Sequence, residues 1–260
     1  MNAMNKSTLG FVGGGRVTKI ILQAFQNKKV GFDSIVVFEP NGDTAAGLKQ
    51  QFPGIELADA PHKAAGQGIV FLAVHPPVMM ETLDAIRQTV TGDTTVISLA
   101  PKITMEKMAG ILSTGKIARM IPNATSYINK GMNPISFHPS FPENDQRMIM
   151  KLLRVMGKTR VVAEEMLEAY AIVSAMLPTY FWFQWKKMEE IAMKTGFSEA
   201  EAKKVIRETL NRSLKLYYKS DLSPEEVMDL IPVKPIGDHE EEIEAFLESK
   251  LLGLYEKIQP

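Results

Sequence analysis

The chain contains no cysteine. That excludes disulfides, a thiolate nucleophile and any cysteine-ligated metal, and it fits a reducing compartment. Excess charge of either sign is also missing. Thirty Lys and Arg residues balance thirty Asp and Glu residues, so no strong field marks a binder of nucleic acid or another polyanion. Histidine is scarce, with four in all, at His62, His75, His138 and His239. None has the helical spacing of a metal-ligating pair, and no metal site is expected. From Ala169 to Trp185 no residue is charged, yet Ser174, Pro178, Thr179 and Gln184 interrupt the stretch. It only reaches the ~17-residue lower edge of a membrane span. We expect a helix buried on all sides, with no membrane contact. The opening residues, Met1 to Thr8, are polar and lack the apolar core of a signal peptide. A cytoplasmic protein is expected.

What is present describes a globular chain. Its 260 residues are 45% hydrophobic and 23% charged, enough for two domains at roughly 100–200 residues each. In the first half, short apolar runs alternate with helical patterns. Leu9–Val12, Ile35–Phe38, Ile69–Val74, Thr94–Leu99 and Lys116–Met120 read as strands. Between them, Val17, Ile20, Ile21, Ala24 and Phe25 recur at helical spacing, and helices are expected near Asp43–Gln51, Val78–Thr89 and Met105–Leu112. Alternation of this kind predicts a parallel sheet covered on both faces. Ile135–His138 is a candidate edge strand.

Beyond Pro142 strand signals nearly vanish, apart from Thr159–Ala163. A helix from Glu143 to Met156 should stop at Gly157. A long helix should start near Glu164 and kink at Pro178. Ser198 with Glu201, and Ser223 before Pro224, open further helices. The expected class is therefore α/β: an N-terminal Rossmann-type parallel sheet over residues 1–163, and an all-helical domain over residues 164–260.

The strongest chemical signal is the run Gly10 to Thr18, with Gly13, Gly14 and Gly15 followed by Arg16 and Val17. Glycine allows a sharp turn from strand to helix and close approach of backbone amides to a pyrophosphate. The following helix points its positive end at the phosphates. The position usually held by a small third residue is Thr18. Glu39, at the end of the second strand, offers its carboxylate to ribose hydroxyls and repels a 2′-phosphate. NAD is the expected cofactor; Arg16 beside the phosphates keeps NADP possible.

These motifs resemble those of the pyrroline-5-carboxylate reductase family. The glycine-rich opening matches from Gly10 to Val17. Ala73-Val74-His75-Pro76 stands where that family has A-V-K-P, and Ser98-Leu99-Ala100 resembles its S-[IV]-A strand. Arg119 to Asn123 resembles R-x-[ML]-P-N, and Gly131-Met132 its following G-M. The resemblance implies that Ala73, Val74, His75, Pro76, Ala100 and Asn123 belong to the cofactor site, towards the nicotinamide. It also implies a helical dimerisation domain, so that a homodimer or higher homo-oligomer is expected.

The second half departs from the family. Its S-G-S-x-P-A-Y segment is Ser174 to Tyr180 here, with bulkier Met176 and Leu177. Ser174, Thr179 and Tyr180 remain as candidate substrate-handling residues. The family's S-P-G-G-T-T loop is absent; Pro232 to His239 stands in its place. Lys102 follows a strand's C-terminal end, where open α/β sheets place ligands. It is a candidate for holding a substrate carboxylate, or equally a solvated lysine opening a helix. The expected activity is NAD(P)H-dependent reduction of a small cyclic imine. A reductase for another small acid or ketone, and a dinucleotide-binding sensor without catalysis, remain alternatives.

Overall fold

The computed structural model describes residues 7–260; the reading of the chain's opening as no signal peptide falls largely on residues 1–6, outside the described residues. The chain forms two units. One runs to Ala175 and takes back Leu254–Pro260, and the other is Met176–Gly253.

The first unit is built on one sheet of eight strands. In chain order, β1 is Thr8–Val12, β2 Ser34–Phe38, β3 Glu56–Ala58, β4 Ile69–Leu72, β5 Thr95–Ser98, β6 Ile117–Met120, β7 Gly131–Phe137 and β8 Gly157–Val161. They lie in the order β3-β2-β1-β4-β5-β6-β7-β8. All neighbours are parallel except β6 and β7. The order reverses direction at β1 and β4, where doubly wound sheets open a ligand crevice. The helices are α1 (Arg16–Asn27), α2 (Gly42–Gln51), α3 (Pro61–Ala65), α4 (Pro76–Ile86), α5 (Met105–Ala109), α6 (Glu143–Leu153) and α7 (Leu167–Tyr170). Both sheet faces are buried. Leu9, Phe11, Phe71 and Ile97 pack with Ile21, Phe25, Ile149 and Leu152 on one side. Val12, Val70, Leu72 and Val96 pack with Met79, Leu83 and Met108 on the other. The rings of Phe11 and Phe71 stack at 5.0 Å on adjacent strands.

The expected α/β class, with its helical C-terminal region, is borne out. Three details differ. β3 and α3 were not expected, because β3 is only three residues long and mostly exposed and α3 is a single turn opened by Pro61. The proposed edge strand near Ile135 is interior, with β8 outside it. The helix expected to kink at Pro178 is broken instead. After α7 comes a π-helical turn, Ala171–Ala175, and a new helix starts at Leu177 with Pro178 in its first turn. A proline there needs no backbone N–H and costs the helix nothing.

The division between units falls at Ala175, later than the expected boundary at Glu164. Arg119 explains why. Its side chain is fully buried on β6. Its guanidinium donates to Glu164 at 2.9 Å and to the fully buried Glu168. These two carboxylates hold their segment against the sheet.

The second unit consists of α8 (Leu177–Lys194), α9 (Glu199–Lys219), α10 (Pro224–Asp229) and most of α11 (Glu240–Ile258). Capping boxes open α9 at Ser198 and α10 at Ser223, as their sequences indicate. Between 176 and 253 only Ala202 is buried. Among the described residues no helix is long and apolar enough to cross a membrane.

A buried charge that loses its partner carries most of the desolvation cost alone. Glu168→Ala should therefore destabilise the protein by about 3–5 kcal/mol in denaturant unfolding. The double replacement Arg119→Met with Glu168→Leu should cost clearly less than Glu168→Ala. A double replacement as damaging as the single one would show that the pair's net attraction, rather than its burial, governs this site.

Candidate active site

The chain leaves β1 at Val12 and must turn into α1 within three residues. Gly13 makes the turn with φ of +105°. Its N–H donates to the Phe38 carbonyl at 2.8 Å, while the Ala73 N–H donates to Val12 at 2.8 Å. The turn is thus wedged between the ends of β2 and β4. A Cβ on Gly13 would lie 2.4 Å from the Ala73 carbonyl oxygen, a distance no side chain tolerates. Gly15 differs. It caps α1 without a side-chain hydrogen bond, and a Cβ there would meet no atom within 4 Å. The first amides of α1 therefore have no side-chain acceptor and suit an anion. Thr18 is fully buried, and its hydroxyl donates to the Gly13 carbonyl at 2.5 Å. The residue in the third-glycine position thus ties the helix back to the turn.

Glu39 closes the other side. One carboxylate oxygen accepts from the Gly14 N–H at 2.8 Å, the other from the Asn41 N–H at 3.0 Å. These bonds aim the carboxylate at the glycine turn. Asn41 in turn caps α2 by accepting from Thr44 N at 2.8 Å. The result is a cleft of about 650 Å³ lined by Gly13, Gly14, Gly15, Arg16, Glu39, Ala73, Val74 and His75, all identified from sequence. Lys19, Pro40, Asp43, Thr44 and Val78 also line it and were missed. Two signals could have found some of them: Lys19 lies one turn beyond Arg16, and Thr44 is the partner of the Asn41 cap. The turn without room for a Cβ, the uncapped α1 and the aimed carboxylate fit a dinucleotide.

The remaining candidates lie elsewhere. Val17, in the first turn of α1, packs against the core, Pro76 opens α4, and Ala100 is buried in the second core cluster. None of the three lines the cleft. Asn123 is 5% exposed and bonded to Ser174, which lies in the π-helical turn. Lys102 is exposed, after the end of β5, with φ of +75°. Its backbone N–H is 3.4 Å from the Glu168 carboxylate. Thr179 and Tyr180 belong to the second unit, in the first turn of α8. Burial raises the Tyr180 phenol above its usual pKa, so it stays protonated at neutral pH.

The family described as "NADP oxidoreductase coenzyme F420-dependent" matches residues 8–102. Curated relatives include the pyrroline-5-carboxylate reductase of Escherichia coli K12. It is 28% identical over 226 residues, 86% of this chain and 84% of that protein. Pyrroline-5-carboxylate reductase 2 of Bacillus subtilis is 24% identical over 245 residues, 93% and 87% of the two chains. Among solved structures, Plasmodium falciparum pyrroline carboxylate reductase with NADP bound superposes with a TM-score of 0.83 at 17% identity. It covers 99% of this chain and 98% of its own. At that identity the structural likeness speaks for the fold.

Two glycines of the turn should answer differently to substitution. Gly15→Leu enters open space, so the protein should fold normally and lose NADH binding in a fluorescence titration. Gly13→Ala meets the Ala73 carbonyl and a positive φ, and should lower stability by more than about 2 kcal/mol. Unchanged NADH affinity in Gly15→Leu would rule out this cleft as the pyrophosphate site.

Proposed function

We propose, for a chain that is a divergent relative of the pyrroline-5-carboxylate reductases and an NAD(P)-dependent oxidoreductase, that it reduces the C=N bond of a small cyclic imine. The observation that carries this reading is the glycine turn wedged between β2 and β4, in a chain that aligns over 86% of its length with a curated reductase of that name. A bound nicotinamide supplies the hydride. The protein's tasks are to orient both partners, exclude water and retain a proton for the nitrogen. An iminium is already electrophilic and needs no strong acid. In this reading Ser174 handles the nitrogen side of the substrate and Lys102 holds an acid group. Glu39 makes NAD(H) the preferred cofactor, moderated by Arg16 and Lys19 in the same cleft.

A second reading, reduction of another small acid or ketone, draws on one observation. Pro232 and Pro235 lack amide hydrogens, so the segment from Pro232 to His239 offers fewer backbone donors to a carboxylate. Turnover of pyrroline-5-carboxylate with NADH is therefore expected, but at least about tenfold below the Escherichia coli relative, with NADPH the poorer cofactor. Complementation of a proline auxotroph gives the same answer in cells. Turnover of small keto acids with none of any cyclic imine would decide for the second reading.

The working form is a homodimer in this proposal. Of 32 exposed large hydrophobic residues among those described, 24 lie between 176 and 253, among them Phe181, Trp182, Phe183 and Trp185. A unit that buries only Ala202 has no core of its own to stabilise it, and exposed apolar surface on this scale calls for a partner. A second copy, joined through a two-fold and self-complementary interface of helices, is the simplest one. Sedimentation equilibrium at micromolar concentration should report at least twice the 28.9 kDa chain mass. A stable monomer that keeps its helical content would refute the proposal.

A further inference from the structure

We infer that Asn123 is a positioning residue that fixes Ser174, and not a ligand of the dinucleotide. Its carboxamide is fully engaged. The Nδ2 group donates to the Ser174 carbonyl at 2.9 Å and reaches the Ser174 hydroxyl at 3.4 Å. The Oδ1 atom accepts from the Thr125 N–H at 2.9 Å and from the Thr125 hydroxyl at 2.6 Å. An amide side chain has two donors and two acceptor sites, so nothing remains for a nicotinamide. The backbone N–H is engaged too, donating to Asn133 Oδ1 at 2.9 Å.

Ser174 needs this partner for a reason written in the sequence. An α-helix would satisfy its carbonyl with the N–H four residues later, but that residue is Pro178, which has none. A π-helix would use the N–H five residues later, at Thr179, but that group donates to the Met176 carbonyl at 2.8 Å. Both helical donors are gone, and an unpaired carbonyl is costly. The Asn123 side chain replaces them. The Ser174 hydroxyl is held more loosely, at 3.4 Å from Asn123 and 3.5 Å from the Met132 carbonyl. It is therefore located by its backbone and keeps hydrogen-bonding capacity for a substrate. Only this last point rests on the reductase reading.

Asn123→Asp keeps the acceptor for Thr125 and loses the donor to Ser174. NADH affinity by fluorescence titration should stay within about twofold of wild type. Hydrogen exchange in the segment around Ser174 should accelerate, and imine turnover should fall on the order of 10²-fold with the KM for NADH unchanged. A tenfold loss of NADH affinity with unchanged exchange would make Asn123 a cofactor ligand and overturn the inference. A second measurement needs no activity and survives poor folding of the Asp variant. Pro178→Ala restores the missing N–H, so Asn123→Ala should lower thermal stability less in that background than in wild type. Strictly additive losses would overturn the inference. Should wild type reduce no imine, the reductase reading falls, while the titration, the exchange and the mutant cycle still decide the role of Asn123.

Discussion

The structure around the sheet's C-terminal end depends on a buried guanidinium. Arg119 is in register with Ser98 on β5 and Ser136 on β7. These small neighbours leave room above the sheet for a long side chain. A charge so placed must be paired, and β6 and its flanking strands offer no carboxylate. The partners come from further along the chain, and each does a second task. Glu164 also accepts the Met105 N–H at 2.8 Å, and Glu168 faces the Lys102 N–H. One positive charge thus fixes a strand, the loop after β5 and the turns leading to Ser174. Such a cluster is weak evidence for stability, since hydrophobic side chains of similar volume often serve as well. Arg119 Nε and one Glu168 oxygen even lack a partner. Its effect is on geometry: three segments around the candidate site cannot shift independently.

The dinucleotide cleft follows the same economy. Glu39 orients itself on two backbone amides, and one of them belongs to the glycine turn. The group that would read the ribose is therefore set by the loop that would hold the pyrophosphate. A ligand entering the cleft finds it largely formed, and less of its binding energy goes into ordering side chains. The same coupling explains why Thr18 is compatible with a dinucleotide fold. Its hydroxyl is consumed by the Gly13 carbonyl, so a larger residue is accommodated without a stray buried donor.

Most of the first unit was legible because its strands are buried on both faces and read as continuous apolar runs. β1, β2, β4, β5 and β6 all fall within or beside the stretches expected for them. The antiparallel placement of β7 was not legible, since strand order depends on long-range pairing that no local pattern encodes. The cofactor cleft was legible at the glycine turn and at Glu39, where backbone geometry restricts the residue type. It was less so at Lys19 and Asp43, ordinary helical residues that reach the cleft only through helix orientation. Asn123 was expected beside the nicotinamide from resemblance alone. Its bond to Ser174 required knowing that a π-helical turn ends just ahead of Pro178, and the sequence predicted a simple kink there.

The departures in the second unit converge on one consequence for recognition. A loop rich in glycine and threonine holds a carboxylate with several amides and hydroxyls in fixed directions. The segment here has two prolines, and Leu230, Ile231, Val233 and Ile236 are exposed along and beside it. If the acid group is instead held by Lys102, the site exchanges several directional donors for one mobile ammonium. An ammonium on a flexible stem acts as a point charge and discriminates poorly among positions of an anion. Specificity is a difference of affinities, and it weakens when fewer donors would be left unpaired by the wrong ligand. Under the proposed function the cofactor chemistry and the fold are retained while the range of accepted imines widens.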